Sequence, residues 1–420
     1  MNKKIIQNFL KENKTVISNY FSLIILQGAN YILPLLILPY LVRVLGAEKF
    51  GLVMLAQSLC LFLTVLVDFG FNLSGTREIS LSRNNKTKMS QIFIAIMLIK
   101  IALVFIAFLF FFTIVMFIDR FSVDYEIYLL SFGIVIGQAI FPVWFFQGIE
   151  KMKFVTIVNV LAKVVFTILV VIYVNSSEEY KEVPIYNSLG FIVSGLLGLF
   201  LSIKYISFTA PSFKLILQLL KETSSLFVSN FATMLYTSSN VLILGFFTNN
   251  AIVGVYSSIE KLILAVKNIY TPIYQALFPW LSQQNDKKKI EVIKKTRPFI
   301  LALGILITLT IFFLAKPILS IIYNDKLITE HNTVFKILSF VAIFSGINML
   351  YNGLYFPAVK KYKLRMSILL SAGILNVILG LILVNVYNIY GTAISVFTTE
   401  FYLLLLGLYY FNKTTKSLNF

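Results

Sequence analysis

Four lysines and three carboxylates lie deep within apolar runs of this 420-residue chain: Lys100, Lys163, Lys261 and Lys267, with Asp68, Glu260 and Glu400. A charge at the centre of an apolar helix costs about 2.5–3.5 kcal/mol on insertion scales, so such side chains face a bundle interior or a water-filled cavity. Lys316 and Lys336 stand near enough to the run ends to reach an interface by snorkelling. Lys100 and Lys163 stand too deep for that. Glu260 and Lys267 are seven residues apart and share one helix face, which Thr271 and Gln275 continue. For any one of these residues an internal ion pair, such as Glu260 with Lys267, is the plain alternative to a binding role. Taken together, deep lysines outnumber deep carboxylates. A cavity lined this way attracts an anion, and an amphiphilic passenger with a lipid phosphate or diphosphate and a polar head fits it. An exporter of cations would need an acidic cavity.

One apolar run is also unusually rich in neutral polar groups. Asn230, Thr233, Thr237 and Asn240 follow at intervals of three, four and three, and Ser229, Ser238 and Ser239 widen the same face. Gln27, Asn30 and Pro34 repeat a shorter version near the start of the chain. Two readings stand: helix–helix packing, in which such residues are common glue, or the wall of a hydrated cavity that hydrogen-bonds sugar hydroxyls. Gly133 and Gly137 form a GxxxG pattern suited to close helix packing, and Pro34 and Pro39 in the first run and Pro272 and Pro279 in the eighth favour bends.

Other chemistry is excluded by residue supply. His331 is the only histidine and Cys60 the only cysteine. A histidine metal centre, a Ser/His triad and an internal disulfide are thereby set aside. No Gly-Lys dipeptide occurs, so no Walker A phosphate loop is present. The chain reads as having no catalytic residues, no metal, no ATP site and no cofactor.

The elements that must position these residues are twelve stretches of about twenty apolar residues, the length that crosses a hydrocarbon core of about 30 Å. They cover 16–42, 51–73, 91–118, 126–147, 155–174, 185–206, 224–247, 253–281, 298–323, 333–356, 367–386 and 390–411. The fold class is therefore an all-α polytopic membrane protein. The first run is too long for the apolar region of a signal peptide and is expected to remain as the first span. The connecting segments alternate in charge. One set, with both tails, carries Lys3, Lys4, Lys11, Lys14, Arg77, Arg83, Lys86, Lys88, Lys151, Lys153, Lys204, Lys214 and Lys221, then Lys287–Lys289, Lys294, Lys295 and Arg297. It ends with Lys360, Lys361, Lys363, Arg365, Lys413 and Lys416. That is 25 of the 36 basic residues; the opposite loops hold only Arg43, Lys49, Arg120, Lys181 and Lys326. Basic loops mark the cytoplasmic side, so both termini are expected there. The net charge of +18 is spread over many short loops, which argues against a nucleic-acid partner.

The spans divide six and six: an N-terminal bundle over 1–206, a cytoplasmic connection over 207–223 and a C-terminal bundle over 224–420. A weak repeat runs at an offset of 203, setting Phe50-Gly51 on Val253-Gly254, Gln27 on Asn230, Asn30 on Thr233 and Gln57 on Glu260. Six spans per copy give both copies one orientation, which predicts parallel repeats with a site near the midplane.

Several segments resemble the Wzx-type O-antigen and polysaccharide flippases. They are Tyr40-Leu-Val-Arg-Val-Leu-Gly-Ala-Glu-Lys-Phe-Gly51, Val67-Asp-Phe-Gly-Phe-Asn-Leu-Ser74 with Thr76-Arg-Glu-Ile79, and Phe141-Pro-Val-Trp-Phe-Phe-Gln-Gly148 leading into Glu150-Lys-Met-Lys153. Val253-Gly-Val-Tyr-Ser257 with Glu260-Lys261, and Gln275-Ala-Leu-Phe-Pro279, complete the set. The resemblance implies the multidrug/oligosaccharidyl-lipid/polysaccharide exporter fold, a MATE-like V of two six-helix bundles in the bacterial inner membrane. It further implies translocation of an undecaprenyl-diphosphate-linked oligosaccharide from the cytoplasmic to the periplasmic leaflet by alternating access. A proton or sodium gradient would drive this, with Asp68, Glu260 and Glu400 as the candidates for carrying the coupling ion and the sequence choosing none of them. On this view the deep lysines meet the diphosphate and the Asn230–Asn240 face meets the sugar. A polysaccharide polymerase and a chain-length regulator of the same pathway are implied partners beside the lipid bilayer. The competing readings are a drug or cation antiporter of the same fold, a flippase of another lipid-linked precursor, and a membrane glycan polymerase. The last would need a larger outer loop than 175–184.

Overall fold

The computed structural model describes residues 14–417, and their side chains except those of 14–27, 29–32, Gln275, Ala276, Pro279 and Ser417. Gln27 and Asn30 therefore lie outside the described side chains. Among the described residues the chain is helical throughout, with short breaks and no strand.

Among the described residues, eight helical stretches are long and apolar enough to cross a membrane. Two of them take the expected spans in pairs: Leu33–Leu81 has the end of the first, whose helix begins at Lys14, and all of the second, and Tyr362–Lys416 has the last two. The first turns at Gly46 (φ 71°, ψ 166°) and the second at Asn388 (φ 52°, ψ −132°), whose Oδ1 accepts from the Ile389 N–H at 2.7 Å. The seventh and eighth expected spans are broken helices. One parts at Ser238 into Phe213–Thr237 and Ser239–Phe247. The other parts between Asn250–Asn268 and Thr271–Ser282, with Pro272 opening the second piece. Proline lacks the N–H that a continuing helix needs, which accounts for the break there. With these two, the twelve spans are complete.

The chain forms two compact units: residues 59–230 with the described part of 1–37, and residues 231–420 with 38–58. In the first unit the stretch 207–223 is packed, since the Ser207 N–H donates to Ser90 Oγ (2.9 Å) and Thr223 Oγ1 meets Ser74 Oγ (2.8 Å). Gly133 and Gly137 serve close packing. A Cβ on Gly137 would lie 2.3 Å from the Phe191 carbonyl carbon of the Glu182–Ile203 helix.

In the second unit the two positions paired by the 203-residue offset touch each other. A Cβ on Gly51 would lie 1.9 Å from Asn250 O, and one on Gly254 would lie 1.9 Å from Ala47 O. Both obstacles are backbone atoms and cannot swing aside. Gly51→Ala or Gly254→Ala is therefore expected to cost about 1–3 kcal/mol or more and to lower the melting temperature of the purified protein. Gly28→Ala, which meets nothing within 4 Å, is expected to be neutral or mildly stabilising.

Polar contacts at the span ends join loops of the same expected side. Arg43 donates to Ile321 O (2.8 Å) and Ile322 O (2.7 Å), and Lys181 pairs with Glu126. From the other set, Lys361 donates to Thr414 Oγ1 (3.0 Å). Arg83 donates to Gly148 O (2.8 Å) and meets Glu150 Oε1 at 3.0 Å. The hydrogen bond from Arg83 holds the Glu150 carboxyl below the usual carboxylate range. This grouping motivates a labelling prediction. In a Cys60→Ser background, an impermeant thiol reagent added to intact cells should reach cysteines placed at Glu179 or Asn324 and miss those at 287–297. Labelling of 287–297 from outside would overturn the expected orientation.

Candidate functional site

Six of the seven charges predicted to lie deep in the spans, all but Lys261, line a cavity in one unit or the other. In the first unit a cavity of about 320 Å³ is lined by Asp68, Lys100 and Lys163, by the amides of Asn72, Gln138 and Asn159, and by Thr64 and Ser194. Asp68 ends its helix where Phe69 (φ 51°) and Gly70 (φ 91°) turn the chain. Gly70 is needed at that turn, because a Cβ would also come within 3.0 Å of Leu226 Cβ. Phe69 stacks on Phe227 at 4.8 Å, which fixes the turn. The turn presents the Asp68 carboxylate to Lys100, whose Nζ lies 3.6 Å from Asp68 Oδ1; the side chains are 3% and 17% exposed. Asn159 and Lys163 are four apart on Met152–Tyr173 and so share a face. Asn159 donates its amide to Val155 O (2.9 Å). Phe141 and Phe191 supply apolar wall.

In the second unit a cavity of about 40 Å³ is lined by Thr237, Asn240, Glu260, Lys267, Asn376, Thr399 and Glu400. That volume is of the order of one water, whose share of the liquid is about 30 Å³. Lys267 Nζ meets Glu400 Oε1 at 2.6 Å, with 22% and 4% of the side chains exposed. Glu400 Oε2 also accepts from Asn348 Nδ2 at 2.7 Å. Asn348 leads directly into a π-helical turn, Met349–Tyr355, where the freed Asn352 carbonyl accepts from Arg365 Nε (2.8 Å). Tyr256 and Glu260, one turn apart, both line this cavity. Asn376 joins three elements, accepting from Ser239 Oγ (3.3 Å) and donating to Thr399 Oγ1 (3.3 Å) and Ser395 Oγ (3.5 Å). Asn240 is buried, and its Oδ1 has no hydrogen-bond partner among the described residues.

The expected site residues thus divide by unit. Lys100, Lys163 and Asp68 share the first cavity; Lys267, Glu260, Glu400, Thr237 and Asn240 share the second. Lys261 is half-buried beside Glu260, and Asn230 and Thr233 are half-buried, outside both linings. Of the internal ion pairs held open as the alternative, Lys267 forms one with Glu400, 133 residues away, and not with Glu260. Sequence reading passed over Asn72, Gln138, Asn159, Asn348 and Asn376. The position of Asn159 one turn before Lys163 was the available signal, while Asn348 and Asn376 act across helices and leave none.

Residues 16–285 match a family described as polysaccharide biosynthesis protein. A "Putative O-antigen transporter" of Escherichia coli (strain K12) is 29% identical over 91% of this chain and 93% of its own length. A protein of the same description from Shigella dysenteriae is also 29% identical, over 91% and 96%. Among solved structures, an inward-facing multidrug resistance MATE family transporter of the MOP superfamily has a TM-score of 0.66 at 11% identity, over 92% of this chain and 95% of that one. The lipid II flippase MurJ in an inward closed conformation has a TM-score of 0.64 at 17% identity, over 94% and 86%. These two show the fold.

Proposed function

Because this chain belongs to the polysaccharide biosynthesis protein family, we propose that it is a flippase of the inner membrane, a transporter and not an enzyme, for a lipid-linked polysaccharide precursor. The passenger is an undecaprenyl-diphosphate-linked oligosaccharide, carried from the cytoplasmic to the periplasmic leaflet by alternating access. The observation that carries this reading is the cavity of the first unit, where two lysines and one carboxylate face five neutral polar side chains inside apolar spans. One positive charge is in excess there, which favours an anionic passenger over the cations of a drug antiporter. The relatives described as O-antigen transporters point to the same class of cargo. The test is a flipping assay in proteoliposomes with a defined lipid-linked oligosaccharide. Transport of an organic cation with no movement of the lipid-linked sugar would favour the antiporter reading instead.

The three carboxylates proposed to couple an ion differ in their surroundings. Asp68 and Glu400 are each held by a lysine, at 3.6 and 2.6 Å. Glu260 lines the second cavity with Tyr256 and Lys267 and is in no ion pair among the described residues. A carboxylate already neutralised at contact distance gains less from binding a cation, so Glu260 is our choice of coupling group. Glu260→Gln is expected to leave equilibrating flipping intact and to abolish its acceleration by an imposed proton or sodium gradient. Full gradient dependence in that variant would exclude Glu260.

A further inference from the structure

We propose that the π-turn of the tenth span, Met349–Tyr355, is a two-register hinge of the transport cycle and that Arg365 is its latch. Its use in transport rests on the reading above; its two registers follow from the bonding of the turn itself.

Pro357 creates the turn. It has no N–H, so an α-helix would leave the carbonyl of Gly353, four residues earlier, without its donor. In a π-turn each N–H reaches back five residues, and here the Phe356 N–H donates to Tyr351 O. The missing donor of Pro357 then falls on Asn352 O. Arg365 Nε, in the first turn of Tyr362–Ser417, supplies it at 2.8 Å. The connection between them is pinned: the Lys361 N–H donates to Phe356 O (2.9 Å) and Lys361 Nζ to Thr414 Oγ1 (3.0 Å). In the α register the Phe356 N–H returns to Asn352 O and Arg365 is released. The orphan carbonyl is then that of Gly353, which is exposed and reachable from outside the helix. Each register therefore leaves one carbonyl to an outside donor. Side chains point the same way. Ser345 Oγ, Asn348 Oδ1, the Tyr355 hydroxyl and both polar side-chain atoms of Asn352 are buried with no hydrogen-bond partner among the described residues, five of the twelve such atoms. The π register thus leaves its own polar groups unsatisfied and holds no decisive advantage.

A change of register turns the flanking helices by about 100° and slides them about 1.5 Å against each other. Upstream, Asn348 Nδ2 holds Glu400 O (3.0 Å) and Oε2 (2.7 Å); downstream, the Tyr355 ring packs edge-on to Phe411 at 4.8 Å. One of these contacts must give way, which ties Arg365 to the Lys267–Glu400 pair.

The test places a fluorotyrosine at Tyr355 of the full chain in lipid nanodiscs and reads its fluorine resonance, which the Phe411 ring shifts in the π register. Two exchanging resonances are expected, the ring-shifted one larger. Arg365→Met keeps the length of the side chain and removes the donor. It should raise the ratio of the minor to the major form about tenfold, the scale of one charge-assisted hydrogen bond. Arg365→Lys keeps a donor and should reverse most of that gain. Pro357→Ala should act like Arg365→Met, because the α-helix then closes without an orphan carbonyl. Melting curves identify a variant that fails to fold, and Gly353→Ala then stands in for it: its Cβ meets only Met349 Cβ, at 3.7 Å, and alanine favours the α register. Flipping of a lipid-linked oligosaccharide should slow several-fold in Arg365→Met and Pro357→Ala and recover in Arg365→Lys. A single resonance throughout, or populations indifferent to these variants, would overturn the hinge. Shifted populations with unchanged flipping would overturn its part in transport. Two responsive resonances in a protein that does not flip the lipid-linked sugar refute the transport reading and leave the hinge standing.

Discussion

A flippase-deficient cell will not regain its surface polysaccharide when supplied with the Lys163→Glu protein, and will regain much of it with Lys163→Arg. Lys163 shares its cavity with Lys100 and Asp68. Reversal turns an excess of one positive charge into an excess of one negative charge. Two unit charges about 4 Å apart interact by about 4 kcal/mol at an effective dielectric constant near 20, roughly a thousandfold in an equilibrium constant. Even a fraction of that, acting on an anionic passenger, removes transport. Arginine keeps the charge but is bulkier and forks its donors, so partial loss is expected there. The same reversal at exposed Lys360 or Lys413 should be mild, because water and salt screen those sites. Restored polysaccharide at matched protein levels is the measurement. Full restoration by Lys163→Glu would leave the cationic cavity without a role.

Lys267→Ala is expected to destabilise the second unit by about 3–5 kcal/mol, the scale for leaving one member of a buried ion pair alone. Glu400 is 4% exposed, and its remaining side-chain partner would be Asn348 at 2.7 Å. The double variant Lys267→Met with Glu400→Gln removes both charges and should recover most of the loss, since Asn348 can still donate to the glutamine carbonyl. Thermal melting in detergent compares the four proteins of the cycle. Additive losses in the double variant would show that the 2.6 Å contact contributes no coupling. The corresponding cycle at Lys100 and Asp68, 3.6 Å apart with Asp68 17% exposed, should show a smaller coupling because more water reaches the carboxylate.

The sequence by itself determined that the chain is a bundle of twelve apolar helices, because the length of an apolar run and the loss of a backbone donor at proline are local properties. Pro272 marked the break in the eighth span for that reason, whereas Pro34 and Pro39 lie within unbroken helix. The depth of Lys100 and Lys163 was equally legible, since the cost of a buried charge depends only on its distance from the run ends. What those charges meet was not legible. Lys267 turns from Glu260, seven residues away on its own helix, to Glu400, 133 residues away, and the pairing depends on how two helices cross. The same holds for Gly51 and Gly254. Their offset marked them as equivalent, yet only packing shows that each fills the space where the other would carry a side chain. The polar and charged side chains around the first cavity come from six separate helical segments. No count of charges along the chain could bring them together. Local energetics fixed which residues had to be inside; the crossing of helices decided their neighbours, because contact between distant side chains is set by tertiary geometry and leaves no mark on either segment alone.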